Sequence, residues 1–233
     1  MGDGFVEVSA AGERILLMPQ RTAFWASRST LLLADLHLGK GETLAAAGVP
    51  MPPGVTGHDL ARLGDALRLT GARRVLILGD LLHAGIGIVP ALVEQFGQWR
   101  AGFDAEFTLV PGNHDRHVQR VAAQWTIDVA PPVVHEGPFT FVHDAAHSHG
   151  GASYVWSGHV HPLCRLAAGG DSLTFPCFLV DEQETILPAF SRFTAGVCVG
   201  VPATARAFGV ADGRVMDLTP PPRAARRKNP CRT

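Results

Sequence analysis

The chain has 233 residues, 46% of them hydrophobic, a length and apolar content that suit one well-buried domain. Its formal charge of −1 is unevenly spread: Thr219–Thr233 holds five basic residues (Arg223, Arg226, Arg227, Lys228 and Arg232) and no acid. Taking those five from 20 leaves 15 basic residues against 21 acidic ones in the body, about −6, which excludes a broadly basic nucleic-acid clamp.

The predicted elements begin with short strands at Phe5–Val8, Arg14–Met18, Ala23–Ala26 and Thr30–Ala34, separated by Gly, Pro and Ser breakers. The Gly/Pro-rich stretch Gly39–Gly54 follows, long for a connection and expected to form a wall or lid over a site or a plain surface loop. Leu60, Leu63, Leu67 and Leu69, with Ala61 and Ala66 between, recur near helical period and predict a helix over Val55–Thr70. A strand at Arg74–Leu78, a helix at Val89–Trp99, a strand at Glu106–Val110 and a third helix near Asp115–Gln124 come next. From Pro132 to Leu218 the pattern is short strands with turns: Val133–Glu136, Phe139–Val142, Tyr154–Ser157, Leu163–Leu166, Leu173–Leu179, Thr185–Leu187, Gly196–Val199 and Arg206–Val210. Helices near the middle and strands at both ends predict an α/β (α+β) fold, a two-sheet β-sandwich flanked by helices. One domain is expected over residues 1–218, followed by a basic, Pro-rich, disordered tail over 219–233.

No run of about 18 apolar residues offers a membrane helix, and Met1–Val6 has no basic segment leading into an apolar one. Cys164, Cys177, Cys198 and Cys231 form no C-x-x-C pair, so reduced thiols in a cytoplasmic protein are expected. The four Trp residues are scattered in sequence, which favours core packing over base stacking.

Polar motifs interrupt this pattern at strand ends: Asp35-Leu36-His37, Gly79-Asp80, Gly112-Asn113-His114-Asp115, His143 after Phe139–Val142, and Gly158-His159-Val160-His161. Strand ends are where an α/β scaffold presents its chemistry. Together these motifs supply oxygen and imidazole ligands for two metal ions. One ion would be held by Asp35, His37, Asp80 and His161, the other by Asp80, Asn113, His143 and His159, with Asp80 as the bridge. Nitrogen and oxygen ligands without thiolate suit Mn²⁺, Fe or Zn²⁺ better than Ca²⁺ or Mg²⁺. Two such ions about 3.5 to 4 Å apart clamp a phosphoryl group and lower the pKa of a water between them.

His114 follows ligand Asn113 and is expected to act on the transition state or the leaving oxygen, with Asp115 orienting it and raising its pKa. His147 and His149 compete with His143 for the second ion; His143 is preferred because it caps an apolar run that fixes its position. His83, Lys40 and Arg116 are candidate substrate contacts beside the metal loops. His58, His117 and His135 read as ordinary surface or helix residues.

The D-x-H, G-D, G-N-H-D and G-H-x-H elements over Asp35–His161 resemble those of the calcineurin-like metallophosphoesterase superfamily, whose architecture is αββα. Many members have Gly-Asp-x-x-Asp where this chain has Gly79-Asp80-Leu81-Leu82-His83, and a His there resembles the double-strand-break repair nuclease branch. The block Leu32–Gly41, continued by Gly48-Val49-Pro50 and Pro53-Gly54, is similar to bacterial ligase-associated DNA damage response endonucleases, as is Ser157–Pro162. That resemblance implies Mn²⁺-dependent cleavage of single-stranded or flapped DNA, in company with an ATP-dependent DNA ligase, a helicase and a nuclease. A small-molecule or nucleotide phosphatase or pyrophosphohydrolase on the same metals is the alternative. A non-catalytic scaffold is the third reading, but it would be marked by a lost ligand, and none is missing.

Overall fold

A computed structural model of the chain describes residues 4–52, 54–148, 153–168 and 171–220. The expected tail thus lies outside the described residues from position 221 onward. Seven strands, β1 (Val6–Ala10), β2 (Glu13–Met18), β3 (Thr22–Trp25), β4 (Thr30–Leu33), β5 (Arg74–Leu78), β6 (Glu106–Val110) and β7 (Asp128–Val129), lie side by side in sequence order. Short turns let β1 to β4 pair antiparallel, whereas β4 to β7 are parallel and need crossovers. Those crossovers carry α1 (Lys40–Ala46), α2 (Val55–Thr70) and α3 (Pro90–Arg100).

The central strands are apolar throughout because both of their faces are covered. Leu31, Leu33, Val75 and Ile77 pack against Leu60, Leu63 and Leu67 of α2 and Leu92 and Phe96 of α3. Their neighbours Leu32, Leu76 and Leu78 point the other way, onto Phe139, Phe141, Trp156 and Phe208.

Those last residues belong to the second sheet, built from β8 (Val133–Glu136), β9 (Phe139–Val142), β10 (Tyr154–Ser157), β11 (Pro162–Ala168), β12 (Asp171–Val180), β13 (Glu184–Ile186), β14 (Val197–Cys198), β15 (Arg206–Ala211) and β16 (Arg214–Asp217). Its order is β14-β11-β12-β13-β10-β9-β8, with β15 also paired to β12 and β16 to β15. Trp25 and Phe139 meet edge to face at 4.8 Å between the sheets, and Trp25, Trp125 and Trp156 are fully buried, so these indoles are core. The outer face of the second sheet is covered by Val160, Val199 and Val201 packed on Leu179 and Ile186.

Two expectations are corrected. The segment after Gly112 is not a long α-helix: Asp115–Arg120 is a 3₁₀ helix that runs into turns. Val118, Val121, Ala122 and Trp125 are nonetheless buried at helical spacing, so the apolar pattern was real while the tighter coil won. The stretch Gly39–Gly54 is not all loop, since α1 occupies its first half, entered through Gly39 at φ 81°.

Candidate metal centre

The parallel strands of both sheets deliver their C-terminal ends to one edge of the sandwich. Asp35 and His37 follow β4, Asp80 follows β5, Asn113 and His114 follow β6, His143 follows β9, and His159 and His161 follow β10. The loops after β4 and β5 are laced together: Asp35 N–H donates to the Gly79 carbonyl (3.1 Å), His37 N–H to Asp80 (2.8 Å) and Leu38 N–H to Leu81 (2.8 Å).

Five of the seven expected ligands have left-handed backbone: Asp35 (φ 60°), His37 (49°), Asp80 (50°), His159 (67°) and His161 (50°). Such conformations cost about 1 to 3 kcal/mol each and persist where the surroundings over-determine them. Close approach requires glycine at Gly79, where a Cβ would strike the His143 ring, and at two further positions. A Cβ on Gly112 would strike the Asp80 carboxylate, and one on Gly158 would lie 2.5 Å from Ala34 Cβ and 2.7 Å from Asp35 Oδ2.

The side chains form two groups able to hold a cation, Asp35–His37–His161 and Asp80–His143–His159, and Asp80 stands between them. Asp35 Oδ1 lies 3.2 Å from His161 Nε2, Asp80 Oδ2 3.4 Å from His143 Nε2 and 3.8 Å from His37 Nε2. Asn113 Oδ1 and His159 Nδ1 are each 3.1 Å from His143 Nε2. His143 Nδ1–H donates to the Leu78 carbonyl and His161 Nδ1–H to Ala195, both at 2.9 Å, so each ring turns its Nε2 toward the carboxylates. Fixing the outer ring nitrogen in this way sets the tautomer of a metal-binding imidazole.

Electrostatics test whether these residues fit a cation. Asp35 and Asp80 are buried, and among the described residues no Lys or Arg pairs with either. Buried carboxylates are costly inside a protein unless a positive group or hydrogen-bond donors meet them. Burial would raise Asp80, but the hydrogen bond and charge of His143 hold its carboxyl down to about 2. Burial works against charging His143 as well, yet the hydrogen bond it donates to Asp80 and the charges of Asp35 and Asp80 lift it to about 9. His37 goes the other way, pushed down to about 3 chiefly by burial, and offers a lone pair. His37 Nε2 and His161 Nε2 face one another at 3.5 Å. Opposed imidazole nitrogens beside two buried carboxylates that no Lys or Arg among the described residues pairs with leave a place for a proton or a cation, and the donor set fits divalent ions.

His114 Nδ1–H donates to the His83 carbonyl (2.7 Å), and its ring lies 5.2 Å from that of His37 and stacks on that of His83. Asp115 does not orient it, contrary to expectation. The Asp115 oxygens accept Leu82 N–H (3.0 Å) and Gly112 N–H (2.8 Å), so this buried carboxylate ties the loop after β6 to the loop after β5. Burial raises it to about 6.

His83 reaches the site, with Nδ1 3.5 Å from His37 Nδ1, and joins His37 and His114 in a third group able to hold a cation. Lys40 opens α1, and its charge, with burial as the larger cause, keeps His83 below its ordinary pKa. Arg116 is exposed and makes no ion pair among the described residues. His147 is exposed and turns to Asp144 instead of the centre, and His149 lies outside the described residues. His135 bonds Thr140 on the neighbouring strand. Sequence reasoning missed the carbonyls of Leu78, Ala195 and His83 that aim the imidazoles. Every residue carries a carbonyl, so no residue type signals one.

No family model matches the chain, and no curated protein does. Among solved structures, the crystal structure of Pseudomonas putida nuclease MPE matches at 32% identity with a TM-score of 0.78, covering 92% of this chain and 100% of that one. The E. coli phosphoesterase Yfce matches at 14% identity and a TM-score of 0.43, over 82% and 98% of the two chains. A single mutant of Vps29 from Entamoeba histolytica matches at 16% identity and 0.37, over 81% and 96%.

Proposed function

This chain belongs to the calcineurin-like metallophosphoesterase superfamily, and on that premise we propose that it is a dinuclear-metal phosphodiesterase, a DNA endonuclease acting on single-stranded or flapped DNA. It is a hydrolase of phosphoester bonds. The observation that carries the narrower reading is Asp80, a buried carboxylate grouped with His143 and His159 whose Oδ2 also lies 3.8 Å from His37 Nε2 of the neighbouring Asp35–His37–His161 group. The similarity to a nuclease over nearly the whole chain favours a diester as substrate.

In this reading Asp35, His37, Asp80 and His161 hold one ion, and Asp80, Asn113, His143 and His159 hold the other. The ions, when bound, supply Lewis acidity to the phosphoryl group and lower the pKa of water. The resemblance to ligase-associated endonucleases favours Mn²⁺, and Fe or Zn²⁺ fit the same nitrogen and oxygen donors.

The chain's own groups do the rest. Left-handed backbone at five ligands and the laced loops fix the donors before substrate arrives. With its Nδ1–H committed to the His83 carbonyl, His114 keeps Nε2 to carry a proton to the leaving oxygen. Asp115 holds the two loops together beneath it. Lys40, His83 and Arg116 are the contacts for substrate phosphates in this reading.

The resemblance of Leu32–Gly41 and Ser157–Pro162 to ligase-associated DNA damage response endonucleases supports a cytoplasmic role in DNA repair, beside an ATP-dependent DNA ligase, a helicase and a nuclease. No helix among the described residues is long and apolar enough to cross a membrane.

The test compares bis(p-nitrophenyl) phosphate, p-nitrophenyl phosphate, nucleotides and a single-stranded oligonucleotide with Mn²⁺. Diester turnover should exceed monoester turnover, and the oligonucleotide should be cut. Monoester turnover well above diester turnover, with DNA left intact, would make the protein a small-molecule phosphatase.

A further inference from the structure

The turn between β13 and β14 is gripped at both ends by the metal centre. At its start Phe190 N–H donates to the Ala34 carbonyl (2.9 Å) and Ser191 N–H to Asp35 (3.1 Å). At its end the Ala195 carbonyl takes the His161 Nδ1–H, and Val197 N–H donates to His161 (3.1 Å). Asp35 and His161 are themselves 3.2 Å apart, so only Arg192, Phe193 and Thr194 bridge two neighbouring ligands. Arg21 and Asp59 brace the same turn, through the carbonyls of Ala189 and Ser191 and through the Ser191 hydroxyl and Arg192 N–H. Phe193 N–H donates to Ser191 Oγ (3.2 Å), which tightens the turn from within.

On this pinned turn Phe193 is 39% exposed, and Val197 beyond it is 59% exposed. Arg192 is exposed and forms no ion pair among the described residues. A part-exposed aromatic ring and an exposed guanidinium on a turn whose backbone ends bond to Asp35 and His161 match a nucleotide, whose base offers a π-face and whose backbone offers an anion. The body's charge of about −6 gives DNA no broad basic face, so its grip has to come from a few placed groups.

We infer that Phe193 is a stacking platform for the nucleobase next to the scissile phosphate, with Arg192 taking an adjacent phosphate of the same strand; this rests on the nuclease reading above. Single-stranded DNA is the occupant, because a paired base hides its faces in the duplex stack. Phe193 is thus a specificity residue for polynucleotide over small diesters.

The parent and the variants Phe193→Ala, Phe193→Leu and Phe193→Trp would be assayed with Mn²⁺ on a single-stranded oligonucleotide and on bis(p-nitrophenyl) phosphate, with metal content and oligomeric state measured alongside. In the Ala and Leu variants the ratio of oligonucleotide to small-diester kcat/KM should fall roughly tenfold, mainly through KM, which is within the range for losing one base stack. Phe193→Trp should keep the parental ratio. An unchanged ratio in Phe193→Ala, or equal behaviour of the Leu and Trp variants, would overturn the inference, as would a changed oligomeric state, which would make this patch a contact between copies. A parent that cuts no oligonucleotide would instead fail the nuclease reading, and the inference with it.

Discussion

Replacing Asp80 by Asn changes one atom type at the point where the two ligand groups meet. Asp80 Oδ1 accepts His114 N–H at 3.0 Å, a bond that an amide oxygen can keep. The Oδ2 position, 3.4 Å from His143 Nε2 and 3.8 Å from His37 Nε2, becomes an amino group that points protons where lone pairs should converge. The shared negative charge goes too. Several kcal/mol of charge stabilisation depend on metal in such sites, and a loss of about 3 to 4 kcal/mol corresponds to roughly 10² to 10³-fold in rate. We expect Asp80→Asn to lose at least that much bis(p-nitrophenyl) phosphate turnover and to bind fewer than two metals per chain, with an unchanged circular dichroism spectrum. In metal-free protein His143 should titrate below its parental value of about 9, because the carboxylate that lifts it has been neutralised. Near-parental turnover at saturating Mn²⁺ would refute the bridging role.

Three further outcomes separate chemistry from architecture. His114→Ala should lower kcat by roughly 10²-fold while both metals stay bound, with a smaller loss on substrates whose leaving groups need no proton; equal losses on good and poor leaving groups would remove the acid role. Asp115→Ala leaves two buried N–H groups, of Leu82 and Gly112, without their acceptor and should destabilise the fold by about 2 kcal/mol in urea titrations; unchanged stability with altered leaving-group dependence would restore the orienting role. Burial lifts the Tyr154 phenol to about 12 from an ordinary 10, so the unfolded chain gives up that proton first and stability falls as pH rises between 10 and 12. Tyr154→Phe should flatten that part of the stability profile, and an identical slope in the variant would contradict the assignment.

Legibility in the sequence followed the kind of signal each element carries. The helix over Val55–Thr70 and the strands at Arg74–Leu78 and Glu106–Val110 were readable to the residue, because periodicity and flanking glycines agree with burial. α1 was hidden: none of its residues is buried, so no apolar stripe marks it among the glycines around it. β16 was missed although Asp212-Gly213, both with positive φ, form the turn that folds it onto β15. In the centre, the polar motifs at strand ends could be read because carboxylates and imidazoles are rare inside apolar runs. The role of Asp115 could not, since its partners are backbone N–H groups from two loops brought together only by the parallel pairing of β5 and β6. Phe193 was equally silent, one aromatic among twelve Phe residues until the turn's anchors placed it.

Titrating metal-stripped protein with Mn²⁺, while following bound metal and bis(p-nitrophenyl) phosphate hydrolysis together, tests the shared-carboxylate centre most directly. Two ions should bind per chain, with proton release as His143 gives up the proton it holds at neutral pH, and turnover should appear only as the second ion enters. Full turnover with one ion bound, or with none, would contradict a dinuclear centre built on Asp80.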